Sequence, residues 1–350
     1  MRDDKESVDH KTALEAGRDI LKNERPSSNR HSIVALALLA VISLLAVTAA
    51  VSVGSVSISI AELWAVICGS GEDLHRDLII SLRTPRALAA FSTGGLLALA
   101  GALMQVLLRN PLADPYVLGL SGGAAVGALG AMLAGAGMAV VSGSAFGGAL
   151  LSTFLVFGLA HGAGGWSPTR LLLTGIVVAA GWGAVITFML TMSPADSLPG
   201  MLYWLMGDLS YARTPYVAWA VLVPAVLLTL PMGRSLNVLA RGPLQAAALG
   251  VAVRPLEWSV YILASLLTAV AVTTAGSVGF VGLIVPHMLR LVLGNDQRII
   301  LPASVLAGGA LLTFADTLAR TVMAPEQLPV GVITALLGVP TFLFLLHRSR

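Results

Sequence analysis

The sequence predicts an all-α, polytopic membrane protein with about ten transmembrane helices. Of its 350 residues, 56% are hydrophobic and only 11% are charged, whereas soluble proteins carry about 25% charged residues. The apolar runs are long and continuous and lack the alternation of a strand. Because only helices and closed barrels satisfy backbone polar groups in hydrocarbon, these runs predict spanning helices.

Two regions differ in composition. Residues 1–31 are polar and of mixed charge, and we expect a cytoplasmic tail there that is disordered or loosely helical. The first apolar run, 33–53, has the length of a spanning helix and is longer than the apolar segment of a signal peptide. Residues 32–350 are therefore predicted to form one transmembrane domain.

Ten apolar runs follow one another along this domain. The predicted spans are 33–53, 87–108, 116–136, 139–160, 171–192, 215–233, 257–275, 280–294, 299–318 and 329–346. We expect a short amphipathic helix at 58–67 and a loop containing a short helix at 193–214. The segment 234–256 is predicted to be the largest internal cytoplasmic loop, and a loop of that length is usually functional.

The distribution of basic residues orients the chain. With ten spans both termini lie on one side, and that side receives most of the 21 Lys and Arg. Loops rich in Lys and Arg stay in the cytoplasm, so both termini are predicted to be cytoplasmic. The exceptions on the other side are Arg76, Arg83, Arg86, Arg213 and Arg320.

Several kinds of chemistry have no signature in this sequence. The lysines Lys5, Lys11 and Lys22 all lie in the tail, so the chain contains no phosphate-binding loop with the pattern GxxxxGK[ST]. Cys68 is the single cysteine, and no HExxH or GxSxG motif is present. We expect no catalytic residues, no resident metal or cofactor and no nucleic-acid partner, with ATP bound by a separate chain.

The source of energy for transport is also constrained by the sequence. Ion-coupled carriers place ionisable residues at mid-membrane, whereas Glu257, Arg290 and Asp316 fall near the ends of the predicted helices, where their side chains can reach an interface. A partner-driven transporter is favoured. Two alternatives remain. An ion-coupled secondary transporter would move its substrate without an ATPase, and a non-transporting membrane scaffold would show no substrate flux in any assembly.

Four motifs make the class more specific. They are Arg83-Thr84-Pro85-Arg86, continuing through Arg109-Asn110-Pro111-Leu112-Ala113-Asp114-Pro115; Arg170-Leu171-Leu172-Leu173-Thr174-Gly175; Gly279-Phe280-Val281-Gly282 through Pro286-His287 to Arg290; and Ala315-Asp316-Thr317-Leu318-Ala319-Arg320, followed by Glu326-Gln327-Leu328-Pro329-Val330-Gly331. In this order, from about residue 57 to the C-terminus, they closely resemble the FecCD family. That family comprises permeases of type II ABC importers for iron–siderophores, haem and vitamin B12.

The resemblance implies an assembly and a location. Permeases of this family are inner-membrane homodimers of ten-helix subunits, and they pair with two cytoplasmic ATP-binding subunits and a periplasmic substrate-binding protein. The cargo implied for this chain is an iron chelate, haem or cobalamin, moved from periplasm to cytoplasm. The four motifs do not choose among these substrates.

The resemblance also assigns roles to individual residues. Arg83, Arg86 and Arg320 match positions that receive acidic residues of the binding protein, and a basic outer patch would attract such residues; anchoring to lipid headgroups is the alternative. Asn110 and Leu112 border the pathway near the cytoplasmic gate, although a plain helix hairpin explains the same residues.

A third group of residues is expected to face the ATPase. Gly242, Ala247, Leu249 and Gly250 are predicted coupling residues, although Arg241-Gly242-Pro243-Leu244 stands where family members commonly carry an acidic residue. Beside Pro286, His287 is expected to be packed rather than to bind iron. Tyr203, Trp204 and Met206 are interpreted as an interfacial group, with pore lining as the alternative.

Overall fold

A computed structural model describes residues 29–54, 58–70, 73–160, 168–210, 212 and 214–348. Every regular element in these ranges is helical. The α-helices are α1 (Asn29–Ser52), α2 (Ile60–Ile67), α3 (Asp73–Asp77), α4 (Thr84–Leu107), α5 (Leu120–Leu133), α6 (Met138–Ala160), α7 (Pro168–Thr191), α8 (Leu198–Met206), α9 (Tyr216–Leu239), α10 (Pro243–Ala248), α11 (Val253–Ala275), α12 (Val281–Leu293), α13 (Gln297–Thr321) and α14 (Val330–Arg348). A π-helical turn, Leu78–Arg83, joins α3 to α4, and a 3-10 turn, Pro115–Leu118, precedes α5.

The helices reproduce the predicted membrane architecture. In the described residues, seven helical stretches are long and apolar enough to cross a membrane, and three shorter apolar helices, α5, α12 and α14, accompany them. These ten helices correspond in order to the ten predicted spans, which confirms the all-α polytopic fold. The predicted tail lies outside the described residues except for 29–31, which already belong to α1.

One predicted loop is much shorter than expected. The segment 234–256 was predicted to be a loop, but α9 continues to Leu239 and α11 begins at Val253, so only 240–252 connects them. That connection contains the short helix α10. The prediction was wrong because it ended helices at their first polar residues, whereas a helix can continue beyond the hydrocarbon wherever its polar side chains reach water or headgroups.

The smaller predicted elements are confirmed. The amphipathic helix at 58–67 is α2, which begins with a capping box: Ser59 Oγ accepts from the Glu62 N–H at 3.2 Å, and Glu62 Oε2 accepts from the Ser59 N–H at 2.7 Å. The expected short helix within 193–214 is α8. Helix α3 and the π-helical turn lack a periodic signal of their own and were not predicted.

Helix α4 lies at the centre of the bundle. Nearly all of its residues are buried, and α1, α9, α11, α12 and α13 all pack against it. Glycines permit these contacts, because a Cβ on Gly94 would lie 2.1 Å from the carbonyl oxygen of Gly308, and one on Gly101 would lie 1.9 Å from that of Gly282. Such backbone-to-backbone packing is the usual device of helix association in membranes.

The connections bring two sets of helix ends together. At one end of the bundle, the C-terminus of α1 meets the start of α4 and the last turns of α13. At the opposite end, α4, α9 and α12 finish beside the start of α13. We call these the Arg83 end and the Asn110 end.

Candidate functional site

An internal ion network occupies the Arg83 end. Arg86, in the first turn of α4, donates from Nε to both carboxylate oxygens of Asp316 at 3.0 and 3.1 Å, and from Nη2 to Oδ1 at 2.8 Å. Arg320, one turn after Asp316 on α13, donates from Nε to Oδ2 at 3.1 Å. Asp316 is only 1% exposed. One buried carboxylate is therefore shared by two arginines, and the cluster of these three side chains keeps one net positive charge.

Two of the predicted docking arginines also cap α1. The last carbonyl groups of a helix have no partner within it. Arg83 Nη1 donates to the carbonyl oxygens of Val51 and Ser52 at 3.1 and 2.9 Å, and Arg320 Nη2 donates to that of Ala50 at 3.0 Å. Positive charge at a helix C-terminus is favourable, so this network fixes α1 against the rest of the bundle.

The network reaches the surface through Arg86. Its Nη1 donates to Gln327 Oε1 at 2.7 Å, and the carbonyl oxygen of Gln327 accepts from Tyr203 Oη at 3.3 Å. Gln327 lies in the connection between α13 and α14, and Tyr203 lies on α8. The structure thus gathers the three predicted arginines at one place, with Arg83 and Arg320 almost fully buried and Arg86 more accessible.

Sequence reasoning missed the centre of this network. It placed Asp316 near a helix end, from which its side chain could reach an interface, but the carboxylate is buried and paired. A signal was present: Asp316 and Arg320 have the i,i+4 spacing of a helical ion pair. The pairing with Arg86, 230 residues away in sequence, had no local signature.

The predicted gate residues form a tight turn after α4. Asn110 Oδ1 accepts from the Leu112 N–H at 2.9 Å, and the Asn110 carbonyl oxygen accepts from the Ala113 N–H at 3.1 Å. The preceding residue, Arg109, adopts a positive φ of 49°. Prolines 111 and 115 bracket the turn, as the hairpin interpretation expects, and Leu112 is exposed.

Asp114 ends this turn as the cap of the 3-10 helix. Its Oδ1 accepts from the Tyr116 N–H at 2.8 Å. Burial raises the pKa of the Asp114 carboxyl to about 6, although the hydrogen bond from Tyr116 opposes the shift. The turn therefore contains a carboxyl group whose pKa lies above its ordinary value.

The predicted coupling residues surround the exposed helix α10. Gly242 and Gly250 flank it at φ of 126° and 79°, backbone conformations that favour glycine. Leu244 is 86% exposed and Leu249 is 70% exposed. Ala247, on the same helix, is also exposed. The result is a small apolar projection at the Asn110 end.

The structure also locates His287, on α12, and the predicted interfacial residues Tyr203, Trp204 and Met206, on α8. In the described residues, no three His, Cys, Asp or Glu side chains are grouped so that they could hold a metal ion. The Nδ1 atom of His287 is buried and has no hydrogen-bond partner there. Tyr203 and Met206 are exposed, whereas Trp204 packs partly against the core.

Several apolar helices, α7 and α14 among them, leave broad apolar faces uncovered. On α7 the exposed side chains include Leu173, Val177 and Phe188, and on α14 they include Leu336 and Phe344. A smaller share of α7 than of α4 is buried inside this chain, since most of α4 is buried. These faces must contact lipid or another polypeptide.

In the described residues, seven helices that are long and apolar enough to cross a membrane, and three shorter apolar helices, form a bundle with a buried ion network at one end and exposed leucines around α10 at the other. This is the architecture of a multi-pass membrane protein. The profile of the FecCD transport family matches residues 38–348. The chain belongs to this family, and it is the membrane-spanning permease subunit of an ABC importer.

Relatives within the family carry several substrates. The chain is 43% identical over 273 residues to the cobalamin import system permease of Halobacterium salinarum, covering 77% of this chain and 73% of that protein. It is 39% identical over 310 residues to the hemin transport system permease of Yersinia pestis, covering 85% and 91%. A solved structure described as an inward-facing metal-chelate type ABC transporter matches with a TM-score of 0.81 at 27% identity, covering 89% of this chain and 98% of that one.

Proposed function

We propose that this permease imports a metal ion enclosed by an organic ligand: a siderophore complex, haem or cobalamin. The observation that carries the proposal is the similarity to permeases named for cobalamin, hemin and metal chelates, which share this chemistry. ATP hydrolysis takes place in partner subunits. The chain supplies the path across the membrane and the surfaces on which its partners act.

The proposed assembly contains two copies of the chain. The uncovered apolar faces of α7 and α14 support this, because a second copy can bury them and enclose a path between the subunits. The basic Asn110 end is proposed to face the cytoplasm together with both termini. The Arg83 end then faces the periplasm.

Two partner surfaces follow from this orientation. The exposed Leu244 and Leu249 around α10 are proposed to dock on the cytoplasmic ATP-binding subunits, with Gly242, Ala247 and Gly250 shaping the contact. Arg86 is proposed to contact an acidic residue of the periplasmic binding protein. Arg83 and Arg320 act there by holding α1 and Asp316 in place.

Asn110 and Leu112 are proposed to border the pathway at the cytoplasmic end. The turn that holds them is fixed by the Asn110 side chain and the flanking prolines. Its exposed Leu112 side chain supports a gate contact between the two copies. No resident cofactor or metal is proposed for this chain.

Uptake by reconstituted vesicles tests the function and selects the cargo. The permease, its ATPase and its binding protein would be supplied with radiolabelled cobalamin, haemin and a panel of ferric siderophores. The proposal expects ATP-dependent accumulation of one of these classes. Accumulation of free Fe³⁺ or of none of the chelates would contradict it.

A further inference from the structure

A polar cavity of about 580 Å³ lies at the Asn110 end, where α4, α9 and α12 finish beside the start of α13. Three arginines from three different segments line it: Arg109, Arg241 and Arg290. The wall of the cavity includes Asn110 of the gate turn, but it does not include the exposed Leu244 and Leu249 around α10.

Arg241 and Arg290 leave positive charge in the cavity without a matching carboxylate. Arg290 is held in place, because its Nη1 donates to the side-chain oxygen of Gln105 and its Nη2 to the carbonyl oxygen of Ala102. The guanidinium of Arg241 forms no hydrogen bond or ion pair with the part of the chain that the structure describes, although its backbone N–H donates to the carbonyl oxygen of Val238 at 3.1 Å. Arg109 interacts electrostatically with Glu257.

The acidic residue in the cavity wall is already engaged. Asp296 Oδ2 accepts from Arg298 Nη2 at 2.6 Å, and its Oδ1 accepts from Asn237 Nδ2 at 2.8 Å. The hydrogen bonds from Arg298 and then from Asn237 lower the pKa of Asp296 to about 2. This carboxylate is therefore ionised and paired, and it does not neutralise Arg241 or Arg290.

We propose that the cavity binds a phosphate group, either as inorganic phosphate or as the headgroup of phosphatidylglycerol. Arg241 and Arg290 donate to the phosphate oxygens, since guanidinium groups match the geometry of phosphate. The site goes beyond the proposed transport function and needs no bound cargo or ATPase.

The test compares two exposed arginines on the delipidated full-length protein. Arg241→Gln removes a cavity arginine, whereas Arg234→Gln removes an exposed arginine of α9 outside the cavity wall. Native mass spectrometry would measure binding of phosphatidylglycerol against phosphatidylcholine. Thermal unfolding at constant ionic strength would measure stabilisation by inorganic phosphate against chloride. Arg241→Gln should weaken binding about ten-fold, from loss of a charge-assisted hydrogen bond, and Arg234→Gln should not.

The two arms identify the source of the phosphate. Arg241-dependent stabilisation by inorganic phosphate would assign the cavity to a soluble anion, and Arg241-dependent binding of phosphatidylglycerol alone would assign it to lipid; either supports the site. Binding of neither probe, or equal binding by both variants, would overturn it. Loss of ATPase association in Arg241→Gln with unchanged binding of both probes would assign the arginine to a protein interface and also overturn it.

Discussion

Arg86 and Asp316 join the first turn of α4 to the last turns of α13 through Nε and Nη2 of the guanidinium, with the closest approach at 2.8 Å. Asp316 also accepts from Arg320, which caps α1. Three spanning helices thus depend on one buried carboxylate. Docking of a partner on Arg86 would act directly on this junction.

Replacing that carboxylate is expected to destabilise the bundle. In Asp316→Asn the partly exposed Arg86 and the buried Arg320 lose their shared counter-charge, and breaking a buried ion pair costs about 3 kcal/mol. Thermal unfolding in detergent should show a clear fall in Tm. Asp196→Asn is the control, because Asp196 is exposed. Equal Tm values for the two variants would show that the network is not structural.

Close helix packing makes a second prediction. In Gly101→Ala the new methyl group meets the Gly282 carbonyl oxygen, so α4 and α12 must separate, at a cost of about 1–3 kcal/mol for overpacking. In Gly158→Ala on α6 the new methyl group meets nothing within 4 Å. Only the first variant should lower the Tm, and an unchanged Tm for it would contradict the packing.

Asp114 predicts a dependence of stability on pH. The folded pKa of about 6 exceeds the ordinary value of 3.8, so the folded state retains the proton at a pH where the unfolded chain has lost it. The contribution of the protonated Asp114 carboxyl to the free energy of unfolding is complete below about pH 4, and it is lost as the pH rises through about 6.

Comparison with Asp114→Asn isolates this effect. The amide does not titrate, and its oxygen can still accept from the Tyr116 N–H. The Tm of the native protein relative to the variant should therefore fall between pH 4 and pH 7. A difference in Tm that stays constant over this range would exclude the buried carboxyl as its cause.

The exposed connection around α10 is expected to affect partner binding without affecting the fold. Leu249→Ser removes an exposed apolar contact, so it should weaken association with the ATPase and leave the Tm unchanged. Gln245→Ala, on the neighbouring surface of α10, is the control and should bind normally. Pull-down of the ATPase by the purified permease measures both, and normal binding by Leu249→Ser would exclude this docking surface.

The sequence allowed prediction of what depends on local composition. Apolar runs located the ten spans, and the spacing of residues 58–67 identified the amphipathic helix. The lengths of α9 and α11 were missed because Arg234 and Arg254 were interpreted as loop residues, although both lie within helices. Polarity marks the edge of the hydrocarbon more reliably than the end of a helix.

Contacts between segments that are far apart in the sequence could not be predicted from local patterns. The three arginines were selected through family motifs, but their burial and their dependence on Asp316 arise from helices that are far apart in sequence. The cavity at the Asn110 end is likewise assembled from four helix ends. Such juxtapositions depend on how α4 packs within the bundle, which no single window of sequence contains.

The most direct test of the central claim is the energy source for uptake of a chelated metal by reconstituted vesicles. With the permease, ATPase and binding protein present, uptake should persist when ionophores abolish all ion gradients and should stop when the ATPase is omitted or cannot hydrolyse ATP. Uptake by the permease alone on an ion gradient would contradict the account.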